Sequence, residues 1–268
     1  VAAAGVKDSY SGTINPNSSL EISTDIPNIG LYKGSKSNLI EVKLEGVSDN
    51  RFKLEVEKTH EGYTIEVKKR RTFNLGIGNF LVPELRIYIP EGLALNDLEI
   101  SSVSGKISSE LPLKAQNIEI ASVSGSIEIP HLAGSRRVEI ATVSGKVEIA
   151  VTISPRTSIG SVSGALNLSS IQTDQGSVEV ESVSGSISIG HVEASHGSFE
   201  SVSGKVVAAL PSTYAGTVET STLSGNVQVD FPHIQSVSHN KNTTAYRLGA
   251  SEETFRFSST SGKLHITQ

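Results

Sequence analysis

One tripeptide limits what this chain can become more than any other feature. Val-Ser-Gly occurs at Val103-Ser104-Gly105, Val123-Ser124-Gly125, Val143-Ser144-Gly145, Val162-Ser163-Gly164, Val183-Ser184-Gly185 and Val202-Ser203-Gly204. It returns in altered form as Leu223-Ser224-Gly225 and Thr260-Ser261-Gly262. Successive glycines lie 20, 20, 19, 21, 19 and 21 residues apart, and the last step is 37. Self-similarity at such a period marks a stack of repeats in which each unit is completed by its neighbours.

Aligned on the glycine, the repeats read as rungs of a β-solenoid. Seven residues earlier stand Leu98, Ile118, Val138 and Val178; five earlier stand Ile100, Ile120, Ile140, Ile159, Val180 and Phe199. Two residues later come Ile107, Ile127, Val147, Leu166, Ile187 and Val206, and four later Ile129, Ile149, Leu168, Ile189 and Val229. This alternation describes two short strands meeting at a Ser-Gly corner; with the corner valine included, about five apolar side chains per rung are expected to face inward. The glycine is expected to supply a positive φ at the corner, and the serine to hydrogen-bond backbone at the bend. A lone rung buries too little to offset the entropy of ordering it, so strands must pair with the rungs above and below at about 4.8 Å. The expected fold is all-β: a single β-helix or β-solenoid, right-handed, with about eight rungs of about 20 residues.

Composition agrees. The 268 residues include 24 glycines and only 5% aromatics, which suits short strands and tight corners. Cysteine is absent, so neither a disulfide framework nor a thiolate site can form. A net charge of -5 argues against a nucleic-acid partner, which calls for a basic surface. No apolar run approaches the length of about 20 residues needed to span a membrane. The chain begins at Val1 in an Ala-rich arm without an initiator Met, and export or envelope attachment through a trimmed leader or anchor is the expectation.

Two stretches escape the period. Residues 1–94 form an irregular section with strand-like alternation at Leu39-Ile40-Glu41-Val42-Lys43-Leu44 and a hairpin pattern in which Phe52, Leu54 and Val56 are answered by Tyr63, Ile65 and Val67. It is expected to cover the first rung of a regular solenoid over 95–268. Within that solenoid, residues 230–250 form an irregular excursion, after which Phe255, Phe257, Leu264 and Ile266 restore the pattern. The chain is therefore expected to stop on a bare final rung, capped by another chain or guarded by polar residues such as Lys263 and His265.

The serial V-S-G-x-[IV]-x-[IV] rungs, the strand I-Y-I-P-E-G-L at Ile87 to Leu93 and the closing T-S-G-K-L-H-I resemble the family of bacterial "putative adhesin" domains, β-solenoids of unknown function. The likeness covers 85–268 well and 18–84 weakly. It implies an exported or envelope-associated β-helix acting in adhesion and carries over no catalytic residues.

Candidate chemistry is sparse. Glu99, Glu119 and Glu139 share one phase, a ladder able to recruit a weakly held cation or simply to solvate an outward strand face. Lys68, Lys69, Arg70 and Arg71 form a basic run, and Arg136 and Arg137 are in phase with Arg156 one rung later; either group suits an anionic glycan, lipid headgroup or phosphate, or is a solvated face. His233, His239 and Tyr246 fall in the aperiodic excursion. Gly105, Gly125, Gly145, Gly164, Gly185, Gly204, Gly225 and Gly262 are structural corners. No cofactor and no metal site is expected.

Three functions stay open: a non-enzymatic envelope or exported binding scaffold for a surface glycan or protein, with specificity in segments 68–80, 130–137, 150–156 and 230–250; a scaffold that self-associates through its solenoid ends; and a polysaccharide lyase or glycoside hydrolase using acids such as Glu119 and Glu139.

Overall fold

The computed structural model describes residues 6–46, 51–69, 82–173 and 175–268. Its regular structure is entirely β. The N-terminal section holds β1 (Val6–Thr13), β2 (Ser19–Thr24), β3 (Asn28–Lys33), β4 (Leu39–Glu45), β5 (Phe52–Lys58), β6 (Gly62–Lys69) and β7 (Glu84–Ile89). The regular repeats hold β8 (Ala94–Ser102), β9 (Ile107–Ser109), β10 (Leu113–Ser122), β11 (Ile127–Thr142), β12 (Val147–Ile153) and β13 (Arg156–Ser161). They continue with β14 (Leu166–Gln172), β15 (Ser177–Ser182), β16 (Ile187–Ile189), β17 (Val192–Glu193), β18 (His196–Ser201) and β19 (Val206–Ala209). The C-terminal part holds β20 (Thr217–Thr222), β21 (Asn226–Asp230), β22 (Ser236–Asn240), β23 (Thr243–Arg247), β24 (Thr254–Ser259) and β25 (Lys263–Thr267).

Strands before the corner pair into one ladder and strands after it into another. The first runs β5-β6-β2-β8-β10-β11-β13-β15-β18-β24-β20-β23-β22. The second runs β1-β4-β7-β3-β9-β11-β12-β14-β16-β19-β25-β21. Pairing is parallel from rung to rung and antiparallel only at the outer strands of each ladder. A short third side forms where Thr152 pairs with Leu132 and with Ile171, and Ile171 with Val192. One continuous apolar core fills the interior, from Ile14 and Ile40 to Phe257 and Ile266.

The order of rungs differs from the order of the chain at both ends. The β2/β3 rung lies between the β6/β7 and β8/β9 rungs, so the irregular first section supplies two rungs of the stack as well as its roof. The last chain segment, β24/β25, is inserted between β18/β19 and β20/β21. The expected bare final rung is therefore corrected: Lys263 and His265 sit on an interior strand, paired to Asn226 and Gln228, and the outermost rung is β20/β21. The excursion of 230–250 is the β22-β23 hairpin, which extends the first ladder before the chain turns back.

The corner glycines also act differently from expectation. Among the described residues the glycines with positive φ are Gly46 and Gly92, so the corners need no left-handed backbone. Each corner instead packs its Cα against a carbonyl of the next rung. A Cβ placed on Gly125 would strike the Gly105 oxygen, one on Gly145 the Gly125 oxygen, and so on through Gly164, Gly185, Gly204 and Gly262 to Gly225. Gly105 meets the Pro27 carbonyl in the same way.

This contact predicts a sharp contrast between two glycines four residues apart. Gly164→Ala drives a methyl into the Gly145 carbonyl and is expected to lower unfolding free energy by about 3 kcal/mol or more. Gly160→Ala meets nothing within 4 Å and should be neutral or stabilising by about 0.5 kcal/mol, as urea denaturation of the two variants will measure.

Candidate binding groove

Side chains seven, five and three residues before each corner glycine point inward. The third is a hydroxyl: Ser102, Ser122, Thr142, Ser161, Ser182, Ser201 and Ser259 are all buried. Burial of a hydroxyl demands a partner, and the corner supplies one to each of these except Ser182, whose oxygen has none among the described residues. The amides of Gly105, Gly145, Gly164, Gly204, Gly225 and Gly262 donate to the Ser or Thr oxygen three residues back, at 2.7–3.0 Å. Ser102, Ser122 and Ser161 in turn donate to the corner glycine's carbonyl.

The corner valine has the opposite parity and leaves the core. Val103, Val123, Val143, Val162, Val183 and Val202 are each 47–49% exposed, and Leu223 is 70% exposed. This corrects their assignment to the interior. Stacked on successive rungs, they form one wall of a groove of about 1060 Å³. Its floor is made by the residues four before the glycine: Ser101, Ala121, Ala141 and Gly160, then Glu181 and Glu200. Six valines on adjacent rungs span five steps of about 4.8 Å, or roughly 24 Å of apolar wall.

Polar groups along this wall are already engaged. Amides of Val123, Val143, Val162, Val183 and Val202 donate to the residue before the valine in the adjacent rung. Those of Ser124, Ser144, Ser163, Ser184 and Ser203 donate to the adjacent valine carbonyl. The same serines' hydroxyls donate to that carbonyl as well, at 3.1–3.4 Å. What remains to offer a ligand over the Ala121 to Gly160 stretch is apolar contact.

Charge enters at two places. Glu181 and Glu200 are paired across adjacent rungs where other rungs place serine, alanine or glycine. The Glu181 carboxyl is held above the ordinary carboxylate range by burial, then by a hydrogen bond with Glu179 and the charges of Glu179 and Glu200. At the β6 end, Lys68 borders the groove and is ion-paired with Glu66 at 2.8 Å and Glu55 at 2.9 Å.

The sequence-derived candidates are dispersed over other surfaces. Glu99, Glu119 and Glu139 do stack in register, with Glu21 beyond Glu99. The cation at this ladder is the chain's own Arg137, 2.9 Å from Glu139 and 3.8 Å from Glu119. Burial and the charges of Glu119 and Glu21 raise the Glu99 carboxyl. Arg136 and Arg156 are exposed, as is Lys69. Arg70 and Arg71, with most of the 68–80 segment, lie outside the described residues. His239 and Tyr246 come together on the β22-β23 hairpin, where His239 Nδ1 is 3.0 Å from Thr244 Oγ1 and Tyr246 meets the edge of Phe231. His233 is exposed between β21 and β22. Of those among the described residues, Lys68 alone lines the groove. The groove's own residues are concealed in the sequence because Val at the corner reads as core; the alternation that puts positions seven, five and three inward already places it outside.

Fold and surface together define an all-β, solenoid-like scaffold with a continuous exposed face. The chain belongs to the Toastrack DUF4097 family, whose model matches residues 17–267. It is similar in fold to a solved "putative adhesin" from Bacteroides fragilis, with a TM-score of 0.55, 13% identity, and 97% of this chain and 96% of that one covered. It is likewise similar to a "putative lipid binding protein" from Parabacteroides distasonis, with a TM-score of 0.54, 16% identity and 97% of each chain covered. No match is found among curated proteins.

The Glu181 cluster yields a signed prediction. A carboxyl whose folded-state pKa is raised disfavours folding once it ionises, so its penalty is present at neutral pH and relieved on acidification. Glu181→Ala, which restores the residue type found at Ala121 and Ala141, is expected to be more stable than the parent at pH 7. The advantage should vanish as pH falls below the carboxylate range, a comparison made by denaturant unfolding at several pH values.

Proposed function

We propose that the protein is a non-enzymatic binding scaffold of the cell envelope or cell exterior whose ladder of valines holds an extended acyl chain. The observation that carries this reading is the apolar wall from Val103 to Val202, half exposed on every rung, beside backbone that has no hydrogen bonds left to give. A peptide strand docking there finds no free ladder edge, and a glycan finds no aromatic ring, since no Phe or Tyr among the described residues lines the groove. A saturated chain needs neither. The hydrocarbon of one membrane leaflet is about 15 Å deep, so an acyl chain lies within the roughly 24 Å of valine wall. The name of the Parabacteroides distasonis structure is in keeping with such a ligand, although that likeness rests on fold alone.

Half-enclosure of a single chain supports modest affinity, with a dissociation constant of roughly 1–100 µM. The test is titration with a long-chain polyene fatty acid whose fluorescence rises in apolar surroundings. Val143→Glu and Val162→Glu should each abolish the signal while shifting unfolding free energy by less than about 1 kcal/mol, because both side chains are half exposed. No signal with the parent protein, or a signal untouched by both variants, overturns the reading.

A further inference from the structure

The two ends of the stack are finished unequally. Beyond the β6/β7 rung, the first ladder gains β5 and the second gains β4 and β1. There β1 contacts β5, and Leu54 N reaches Asp8 Oδ2 at 3.5 Å. This roof buries Ile14, Ile40, Val42, Leu44 and Tyr63 almost completely, and its outer strand β5 is studded with Lys53, Glu55, Glu57 and Lys58. Charges of this kind guard an edge against pairing.

Among the described residues the opposite end has no such roof. Beyond the β20/β21 rung the first ladder gains β23 and β22, while β21 has only β25 as a described partner. One side of the stack thus overhangs the other by two strands. Side chains in phase with the buried Val218 and Thr220 are Tyr246 and Thr244 on β23, then Val237 and His239 on β22. They have no facing strand among the described residues. Val237 is 45% exposed, and Val227, Val229, Phe231 and Tyr246 are only partly buried.

We propose that a second copy of this chain completes this end, with β22 of each copy pairing to β21 of the other about a two-fold axis. A surplus of two strands on one side and a deficit on the other is satisfied by the same arrangement in the other copy, which is the self-complementarity of an isologous interface. The two edges match in detail. Both are five residues long, Asn226–Asp230 and Ser236–Asn240; Val227 and Val229 on the first are half-buried between polar residues, and Val237 on the second is exposed between two serines. Paired in either direction, Val237 faces a valine of the second copy, and Ser236, Ser238 and Asn240 face Asn226, Gln228 and Asp230, which are able to hydrogen-bond them. Their ionisable groups are opposite in kind, an acid at Asp230 and an imidazole at His239, so no like charges are set against each other. Because the far end is roofed and charged, association stops at two copies.

Sedimentation velocity on the 268-residue chain across a wide concentration range tests this. A monomer–dimer equilibrium is expected, with Val237→Lys weakening it roughly 100-fold by placing an unpaired charge in the interface. Glu57→Lys on the roofed end should leave it unchanged. Unaltered thermal unfolding of Val237→Lys verifies its fold. Hydrogen exchange supplies a second reading, with β21 and β22 amides gaining protection only at concentrations where the dimer forms. A monomer at all concentrations, a dimer indifferent to Val237→Lys, or growth beyond two copies overturns the proposal.

Discussion

Everything in this molecule depends on how closely two backbones approach at the corner. A glycine Cα rests against the glycine carbonyl of the adjacent rung, in a space that holds no methyl group, and the contact repeats from Gly105 to Gly225. That approach lets the strands on both sides of the corner keep ladder spacing at once. The buried Ser or Thr three residues earlier ties the same glycine amide, so the tightest point of each rung is also hydrogen-bonded. Turning the chain at this point sends the next residue type, valine, outward. The apolar groove is thus a by-product of the corner's geometry, repeated with the rung.

The corner stack also fixes the rung order, and that order runs Gly204, Gly262, Gly225. The final segment is drawn into the interior, where Phe255 and Phe257 pack against Phe199. Ring centroids of Phe199 and Phe257 are 4.7 Å apart in a near-parallel stack, and Tyr214 closes on Phe255 at 4.9 Å. Aliphatic ladders give way to aromatic ones where the chain reverses, a local thickening of the core at the point where sequence neighbours stop being spatial neighbours. The first segment is enclosed in the same manner by β6 and β8 around β2.

Local periodicity announced the architecture: Ile100, Ile120 and Ile140 stack in register, as their shared phase requires. What it could not announce is connectivity between distant segments. Nothing in the identity of β24 says that it precedes β20 in space, because parallel strands with the same alternation are interchangeable until the whole core is assembled. The glycine's role is hidden in the sequence for a related reason. A corner glycine usually signals positive φ, and a close approach between rungs is visible only once the rungs are stacked. The exposed valines were legible in principle, since Val103 is out of step with Leu98 and Ile100, but hydrophobicity outweighed parity.

The central claim is that corner stacking sets the rung order and with it the line of the groove. Oxidative cross-linking of paired cysteines tests this directly in a chain that has no native cysteine. Positions 202 and 260 lie on adjacent rungs, linked by the Ser261 amide to the Val202 carbonyl at 2.9 Å, whereas 223 lies one rung further on. Adjacent rungs are about 4.8 Å apart and next-but-one rungs about 9.6 Å, and a disulfide bridges Cα atoms only up to about 7 Å. The double variant Val202→Cys with Thr260→Cys should therefore close readily, while Val202→Cys with Leu223→Cys should stay reduced. Closure of the second pair and not the first would contradict the account.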